Sequence, residues 1–462
     1  MDLIILSLII LFGGSALVAI VKKHSGLIST LTLALSLVLL LINGTDFFID
    51  YPLYPRMRLS FGILLDKLSF PFASMILFIS TLASYFSMDY MKKKKNVHLY
   101  FASLILFATG MYGVTLSTNF IQFYIFWELM IIPAYLLIAY WGHGEASRTA
   151  LTFFIFMHVG ALLILGGILW IFLHTGSFNI LQIIQEKSLI PLSIAKGLSL
   201  LFLIGFGIKM AIIPLHAWLP DAHSEAPAPI SAMLSGLMIG IGAYAIARIV
   251  LPLFPVVLSQ YNLWLVIISL VTMFYGGIMA LAQNDVKRLL AYSSISQMGY
   301  VFFGLFLPNS VGFTGSILQV LNHAIVKSLL FFMSGVLIYS AGTRNLKKLG
   351  GLMKDMPVIA CSSIIAALAL SGIPLFNIFI SEWMIFQGGM MSENLLSTGI
   401  AIGITFLTMA YSLWMVKRVF FGVQIARIKR APTLKMRLTM IILTIIIILV
   451  GIWPSPIIDL LM

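Results

Sequence analysis

Phe126-Trp127-Glu128-Leu129-Met130-Ile131-Ile132-Pro133 sets one carboxylate inside a run that is otherwise apolar and aromatic. An acid there needs a partner or a task. At mid-bilayer depth a charge costs about 2.5–3.5 kcal/mol on insertion scales, so such groups face a bundle interior and mark an ion or proton path. Lys209, Lys327 and Glu382 interrupt comparable apolar stretches.

Outward from that run, the chain is 61% hydrophobic and only 9% charged, with a mean hydropathy of +1.07. These values describe an all-α, polytopic membrane protein rather than a soluble domain. A bilayer-spanning helix needs roughly 20 mostly apolar residues, and charged or Pro/Gly-rich breaks divide the 462 residues into such stretches. The predicted spans are 1–21, 27–43, 66–88, 98–118, 119–141, 147–173, 197–216, 228–250, 261–283, 290–307, 312–340, 357–389, 395–421 and 437–457. That makes about fourteen helices in one membrane domain over 1–462. The first stretch has neither a basic leading segment nor a small-residue cleavage pattern, and is expected to be a retained span.

The net charge of +13 reads as topology, not as nucleic-acid affinity. Odd-numbered loops hold 20 of the 28 Lys and Arg residues, including Lys22, Lys23, Lys92 to Lys95, Lys287, Arg288 and Arg344. Even-numbered loops hold Arg56, Arg58, Lys67, Lys187, Lys196 and Arg248, and Lys209 and Lys327 fall within spans. The positive-inside rule then places odd loops in the cytoplasm and both termini outside. The segments near 44–65 and 174–196 become external loops. Trp141, Trp170 and Trp453, near span ends, suit interfacial anchoring.

Two spans carry proline inside an apolar helix: Ile208-Lys209-Met210-Ala211-Ile212-Ile213-Pro214-Leu215-His216 and Ser371-Gly372-Ile373-Pro374-Leu375-Phe376-Asn377. Proline removes a backbone hydrogen bond and breaks or kinks the helix. The breaks fall in the seventh and twelfth spans, an odd offset of five. Two inverted five-helix repeats, 98–250 and 261–421, followed by a terminal helix at 437–457, would produce that pattern and point to an ion site. Two unrelated kinks would also produce it.

A carboxylate beside an ammonium raises the ammonium's proton affinity, and separating them lowers it. Glu128 and Lys209 are therefore either a proton switch or a static ion pair that ties helices together. In Asn322-His323-Ala324-Ile325-Val326-Lys327, His323 and Lys327 stand at i and i+4 on one helical face. Histidine changes charge near neutral pH, which suits a relay, and a core hydrogen bond is the plainer role. Glu382 follows Pro374 by eight residues, as the terminal site of a relay or as an anchor near a helix end. Asp221, His223 and Glu225 in the proline-bounded segment 220–227 read as a hydrogen-bonded cytoplasmic turn at a proton entrance, with His216 nearby, rather than as a metal cluster. Cys361 is the single cysteine, so neither an internal disulfide nor a Cys-ligated cluster is expected. No phosphate-binding glycine loop, nucleophile elbow or CxxC pattern occurs, and no cofactor or metal is expected in this chain.

Phe126-Trp127-Glu128-Leu129-Met130, Pro214-Leu215-His216-Ala217-Trp218-Leu219-Pro220-Asp221-Ala222-His223 and Asp285-Val286-Lys287-Arg288-Leu289-Leu290-Ala291-Tyr292-Ser293-Ser294-Ile295-Ser296-Gln297-Met298-Gly299-Tyr300 occur together and in order. Over roughly residues 60–425 the chain resembles the antiporter-like subunit family of respiratory complex I, in its M-type branch. It is also similar to relatives in membrane-bound hydrogenases and Mrp-type sodium/proton antiporters. The resemblance implies fourteen helices, inverted repeats, broken helices 7 and 12, and termini outside. It implies proton or sodium translocation coupled to electron transfer in partner subunits that hold iron–sulfur clusters, in the cytoplasmic membrane of a prokaryote. It carries the family's ionisable positions onto Glu128, Lys209, His323 and Glu382. Many members have a lysine where Gly240 stands here, and Glu225 to Gly236 looks closer to the hydrogenase and Mrp branch. A gradient-driven antiporter subunit without redox chemistry and a non-conducting structural subunit are the alternative readings.

Overall fold

The computed structural model describes residues 2–54, 59–392 and 394–461; Arg56 and Arg58, counted among the even-loop cations, lie outside the described residues. The chain opens with α1 (Leu3–Ile20) and α2 (Ser25–Asn43), then a hairpin of β1 (Phe47–Tyr54) and β2 (Leu59–Leu65). Next come α3 (Ser69–Tyr90), α4 (Val97–Leu116), α5 (Phe120–Trp141), α6 (Ala146–Thr175) and the short α7 (Ile180–Gln185). A broken span follows as α8 (Leu192–Met210) and α9 (Trp218–Glu225). The helix over 228–253 is built from α10 (Ala228–Met233), α11 (Ile239–Ala245) and α12 (Leu251–Leu253), joined by π-helical turns Leu234–Met238 and Ile246–Val250. The second half holds α13 (Pro255–Leu281), α14 (Val286–Leu305), α15 (Ser310–Ala341), α16 (Pro357–Leu370), α17 (Asn377–Met391) and α18 (Leu395–Phe420). It ends with α19 (Leu434–Ile452) and α20 (Ser455–Leu461).

Among the described residues, twelve helices are long and apolar enough to cross a membrane. The predicted span 290–307 is α14, whose Tyr292-Ser293-Ser294-Ile295-Ser296-Gln297 makes it more polar than the others, and 357–389 is two shorter helices, α16 and α17. Burial separates centre from rim. The most apolar windows of α4, the 228–253 helix and α15 are 89% buried, whereas those of α1, α2, α6, α18 and α19 are 39% buried. A helix that is apolar all round belongs in the middle of a bundle or in lipid, and here packing divides the two.

Two expectations change. The loop near 44–65 is an antiparallel hairpin with a bulge between Pro52 and Tyr54, favoured by the β-branched and aromatic residues of Phe47-Phe48-Ile49 and Phe61-Gly62-Ile63. Trp141 is no lipid anchor: it is 7% exposed and donates its indole N–H to Lys95 O at 3.0 Å. Trp453, 70% exposed, keeps that role open.

The hydrogen bonds repeat along the chain. Phe120 N–H reaches Phe178 O and Ile180 N–H reaches Thr118 O; Val286 N–H reaches Arg344 O and Leu346 N–H reaches Asn284 O. From Phe120 to Val286, and from Phe178 to Arg344, the offset is 166 residues. At the breaks, Ala211 N–H bonds Ile208 O and Ile212 N–H bonds Gly207 O, while Gly372 N–H bonds Ala369 O and Ile373 N–H bonds Leu368 O. There the offset is 161, from Ala211 to Gly372.

Near the C-terminal end of the 228–253 helix, Arg248 forks onto Asp66, in the loop before α3, at 2.6 and 2.7 Å. Burial alone would raise the Asp66 carboxyl, but the Arg248 hydrogen bonds and charge outweigh it and hold it at about 2. A depressed carboxyl stabilises the fold above its unfolded pKa, near 4, and that contribution is lost as pH falls through the folded value. Asp66→Asn should therefore lower stability near neutral pH by about 1–2 kcal/mol, discounted for partial exposure. The gap from the parent, read by thermal unfolding in detergent, should narrow below about pH 4; a gap independent of pH would contradict the pair's role.

Candidate functional site

The site begins at the first break. The α8 helix ends at Met210, Ala211 takes a left-handed φ of 59°, and the Ile213-Pro214 peptide is cis. Trp218 at the start of α9 donates its indole N–H to Ile208 O at 2.8 Å, which occupies a carbonyl near the helix end. Lys209 in the last turn is 1% exposed. Its Nζ has no hydrogen-bond partner and sits 4.2 Å from the centre of the Trp127 ring. That is a cation–π contact in a desolvated place.

Glu128 faces another way. It makes no ion pair with Lys209 among the described residues; its Oε2 lies 3.6 Å from His158 Nδ1 on α6, and Oε1 is buried without a partner. The two side chains are 20% and 40% exposed, so this pair opens on the side of the bundle. His158 was not singled out from the sequence. One histidine in an apolar helix carries no signal until α6 is seen against α5.

The segment 220–227 is not a loop. Residues 218–225 form α9, with His223 fully buried against the Phe331 ring at 4.8 Å and neither ring nitrogen bonded. Asp221 is exposed and pairs with Arg288 at 2.6 Å. Glu225 lies 3.6 Å from Arg344, which also reaches Asp285 at 2.6 Å. His216 is half-buried beside the Tyr275 ring at 5.0 Å, with Nδ1 unbonded.

Two of the loop cations are structural as well. Lys287 is fully buried, and its Nζ donates to Ser224 O at 3.4 Å and, at closer range, to Ala226 O. Arg344 donates to Ser224 O from Nη1 and to Ser224 Oγ at 3.1 Å from Nη2. Cations at a helix C-terminus satisfy its free carbonyls and oppose its dipole, and together they fix the end of α9. His143, in the loop after α5, donates its backbone N–H to Glu225 O at 2.8 Å. Burial, with help from Lys287, Lys94 and Arg344, pushes its imidazole down to about 4, so it is neutral at physiological pH.

In the second half, His323 on α15 is fully buried with both nitrogens unbonded. One turn on, Lys327 Nζ donates to Leu290 O at 3.1 Å and to Ser293 Oγ. Beyond α14, Gln319 donates to Gln297 Oε1, Ser381 Oγ donates to Gln319 Oε1 at 2.5 Å, and Asn322 Nδ2 reaches Ser381 Oγ at 3.1 Å and Asn377 O at 2.8 Å. Glu382 on α17 is 4% exposed with Oε1 unbonded. Its Oε2 lies against Gly372, beside the second break at Pro374. Gly372 has φ of 65°, so the left-handed turn and the nearby carboxylate both call for glycine. Gly240 lies between the two π-helical turns, where a Cβ would meet Val320 Cγ1 at 2.6 Å. The sites therefore fall in two groups, Glu128 with Lys209 and His323 with Lys327 and Glu382, and buried His223 on α9 packs against α15 between them.

A family profile described as NADH:quinone oxidoreductase/Mrp antiporter, transmembrane, matches residues 117–408. One described as the N-terminus of complex I chain 5 matches residues 54–101. NADH-quinone oxidoreductase subunit M of Escherichia coli (strain K12) is 33% identical, over 93% of this chain and 88% of its own length. Its counterpart from Rickettsia prowazekii (strain Madrid E) is 32% identical over 80% and 76%. A chain of respiratory complex I from Thermus thermophilus shares the fold, with a TM-score of 0.90 at 23% identity over 99% of this chain and 100% of that one. A chain of an archaeal membrane-bound sulfane sulfur reductase has a TM-score of 0.89 at 25% identity, over 98% and 77%.

Proposed function

The chain belongs to the NADH:quinone oxidoreductase/Mrp antiporter transmembrane family, and from that premise we propose that it is the antiporter-like, ion-translocating membrane subunit of a complex-I-related redox complex. One observation carries this reading. Lys209, His323 and Lys327 are buried in helices long enough to cross a membrane, and His223 and Glu382 are buried in the shorter helices beside the two breaks; all but Lys327 have a side-chain nitrogen or oxygen that no protein group bonds. A purely structural role would pair such atoms, because an orphaned buried polar group costs about 1–3 kcal/mol. A relay needs them free to exchange partners.

In the proposed cycle, Lys209 is loaded from the cytoplasm under the influence of Glu128, and loosening that influence releases its proton. Charge then passes through His323 and Lys327 toward Glu382 and the outside. His223, between the halves, stands in for the lysine that Gly240 replaces, and Asp221, Glu225, His143 and His216 border the entrance. The chain lies in the cytoplasmic membrane with both termini outside, and iron–sulfur clusters belong to partner subunits, since single Cys361 offers no cluster a ligand set. Purification of the native complex in mild detergent, with iron and acid-labile sulfide analysis, tests the redox part. Abundant iron–sulfur with peripheral oxidoreductase chains is the expected result. Iron-free preparations with only membrane subunits would replace the reading with a gradient-driven antiporter.

A further inference from the structure

Between α2, α3, α15, α19 and α20 runs an apolar groove of about 310 Å³, walled by Leu37, Leu41, Pro71, Phe78, Ile325 and Val450. Leu41 is 53% exposed, so the groove opens on the outside of the bundle. One wall atom is out of keeping: Ser74 Oγ is buried without a hydrogen-bond partner. A serine or threonine in a helix ordinarily gives its hydroxyl to the carbonyl one turn back, as Thr81 and Ser87 of the same helix do. An orphaned hydroxyl in an apolar wall calls for an acceptor. At one end of the groove lies α20, whose Ile457 and Leu460 line it, while Leu461 on the same side lines a second cavity of about 340 Å³. Ile317 and Leu321, one turn apart on α15, line the second cavity and the groove respectively, and so do Leu68 and Phe70 at the start of α3. The two spaces therefore adjoin. The second is the polar one, lined by Asp46, Asp66 and Lys67. Arg248 already occupies both oxygens of Asp66, which leaves Asp46 and Lys67, one charge of each sign, outside every ion pair among the described residues. Trp453, 70% exposed just before α20, sets this level at the membrane–water boundary.

We infer that this place holds one zwitterionic phospholipid of the phosphatidylethanolamine type, with its headgroup in the polar cavity and an acyl chain in the groove. Chemistry along the site runs in the order of that molecule: opposite charges at the boundary, a hydroxyl donor two helical turns below Lys67, then hydrocarbon. Lys67 takes the phosphate, Asp46 takes the ammonium, and Ser74 gives its hydroxyl to a glycerol ester carbonyl. Such a division, apolar walls with a few polar groups that fix orientation, is what small-molecule sites display. Charge complementarity selects among phospholipids. An anionic headgroup would satisfy Lys67 but leave Asp46 facing negative charge, a penalty that favours the zwitterion. Choline is recognised by aromatic cages, and Phe313 is the single aromatic side chain lining the cavity; a primary ammonium instead donates hydrogen bonds to a carboxylate. A partner's apolar helix would fill the groove yet leave Asp46, Lys67 and the Ser74 hydroxyl unmatched. Asn322 lines the groove from α15 while its Nδ2 bonds Asn377 O and Ser381 Oγ, so the bound chain packs hydrocarbon against the polar network of the second half. Binding itself is independent of the translocation reading.

Native mass spectrometry of the purified complex tests it, by counting phospholipids that survive washing in mild detergent and those regained when phosphatidylethanolamine or phosphatidylglycerol is added back. Ser74→Leu fills the groove and removes the hydroxyl, and should retain one phosphatidylethanolamine fewer than the parent. Lys67→Gln should weaken add-back of phosphatidylethanolamine about tenfold; Lys67 is exposed, so this variant keeps the test decisive where Ser74→Leu fails to assemble. Asp46→Asn should shift the preference of the site toward phosphatidylglycerol. Equal phosphatidylethanolamine occupancy in the parent and Lys67→Gln, which a protein segment seated in the groove would also give, would overturn the site. So would a parent that retains none, or one that takes phosphatidylglycerol as tightly as phosphatidylethanolamine. Pumping that survives replacement of Lys209 would instead overturn the translocation reading and leave the lipid site standing.

Discussion

Lys209→Ala will abolish redox-linked ion translocation in inverted membrane vesicles, by at least about 100-fold, while the chain still inserts and assembles. The expectation rests on what Lys209 does not do. Its ammonium has no hydrogen-bond partner and no ion pair within the described residues, only the Trp127 ring at 4.2 Å. Removing it therefore orphans no acceptor. The cavity left by its stem costs stability, and relief from burying a cation offsets that loss. The thermal midpoint should stay within a few degrees of the parent, since a 1 kcal/mol change moves a large protein's midpoint by about 2–4 °C. Lys209→Arg separates charge from proton exchange. A guanidinium keeps the charge but does not release its proton in proteins, so this variant should fail as completely as alanine. Translocation by Lys209→Arg at the parent rate would show that the position needs only a fixed charge, and by Lys209→Ala that it needs none.

The charged positions were legible in the sequence for one physical reason: in a bilayer every Lys, Glu or His inside an apolar run demands an account. Lys209, Lys327 and Glu382 stood out on that ground, and the prolines at 214 and 374 marked the breaks that α8/α9 and α16/α17 display. What the sequence hid was partnership. It suggested that Glu128 and Lys209 pair, whereas Glu128 approaches His158 and Lys209 approaches Trp127. It counted Lys287 and Arg344 only as odd-loop topology markers, whereas both bond the end of α9. Serine and glutamine are common in membrane helices, so Ser293 and Gln297 carried no signal until α14 met α15 and bonded them to Lys327 and Gln319. The prolines suggested an internal repeat, but the main-chain bonds that recur 166 and 161 residues apart could not be read from the sequence.

Gly110→Ala and Gly276→Ala should each destabilise the protein by about 3 kcal/mol or more, and each should damage a different half of the relay. The two glycines are themselves 166 residues apart and do the same work. A Cβ on Gly110 in α4 would meet Met130 N at 2.5 Å and Leu129 C at 2.8 Å in α5; one on Gly276 in α13 would meet Ser296 N at 2.5 Å and Tyr292 O at 2.9 Å in α14. These neighbours are backbone, so no rotamer change relieves the clash, and the helices must separate. Close helix contact through small residues is what holds membrane bundles together where apolar burial gives no drive. Leu129 adjoins Glu128, so parting α4 from α5 shifts the first carboxylate relative to Lys209. Tyr292 adjoins Ser293, so parting α13 from α14 shifts the hydroxyl that Lys327 bonds. Gly403→Ala is the control, since nothing lies within 4 Å of a Cβ there, and alanine's better helix propensity makes it neutral or slightly stabilising. Thermal unfolding in detergent reads stability, and vesicle translocation normalised to assembled complex reads the relay. Gly110→Ala or Gly276→Ala variants as stable as Gly403→Ala would refute both the close approach and the shared architecture of the two halves.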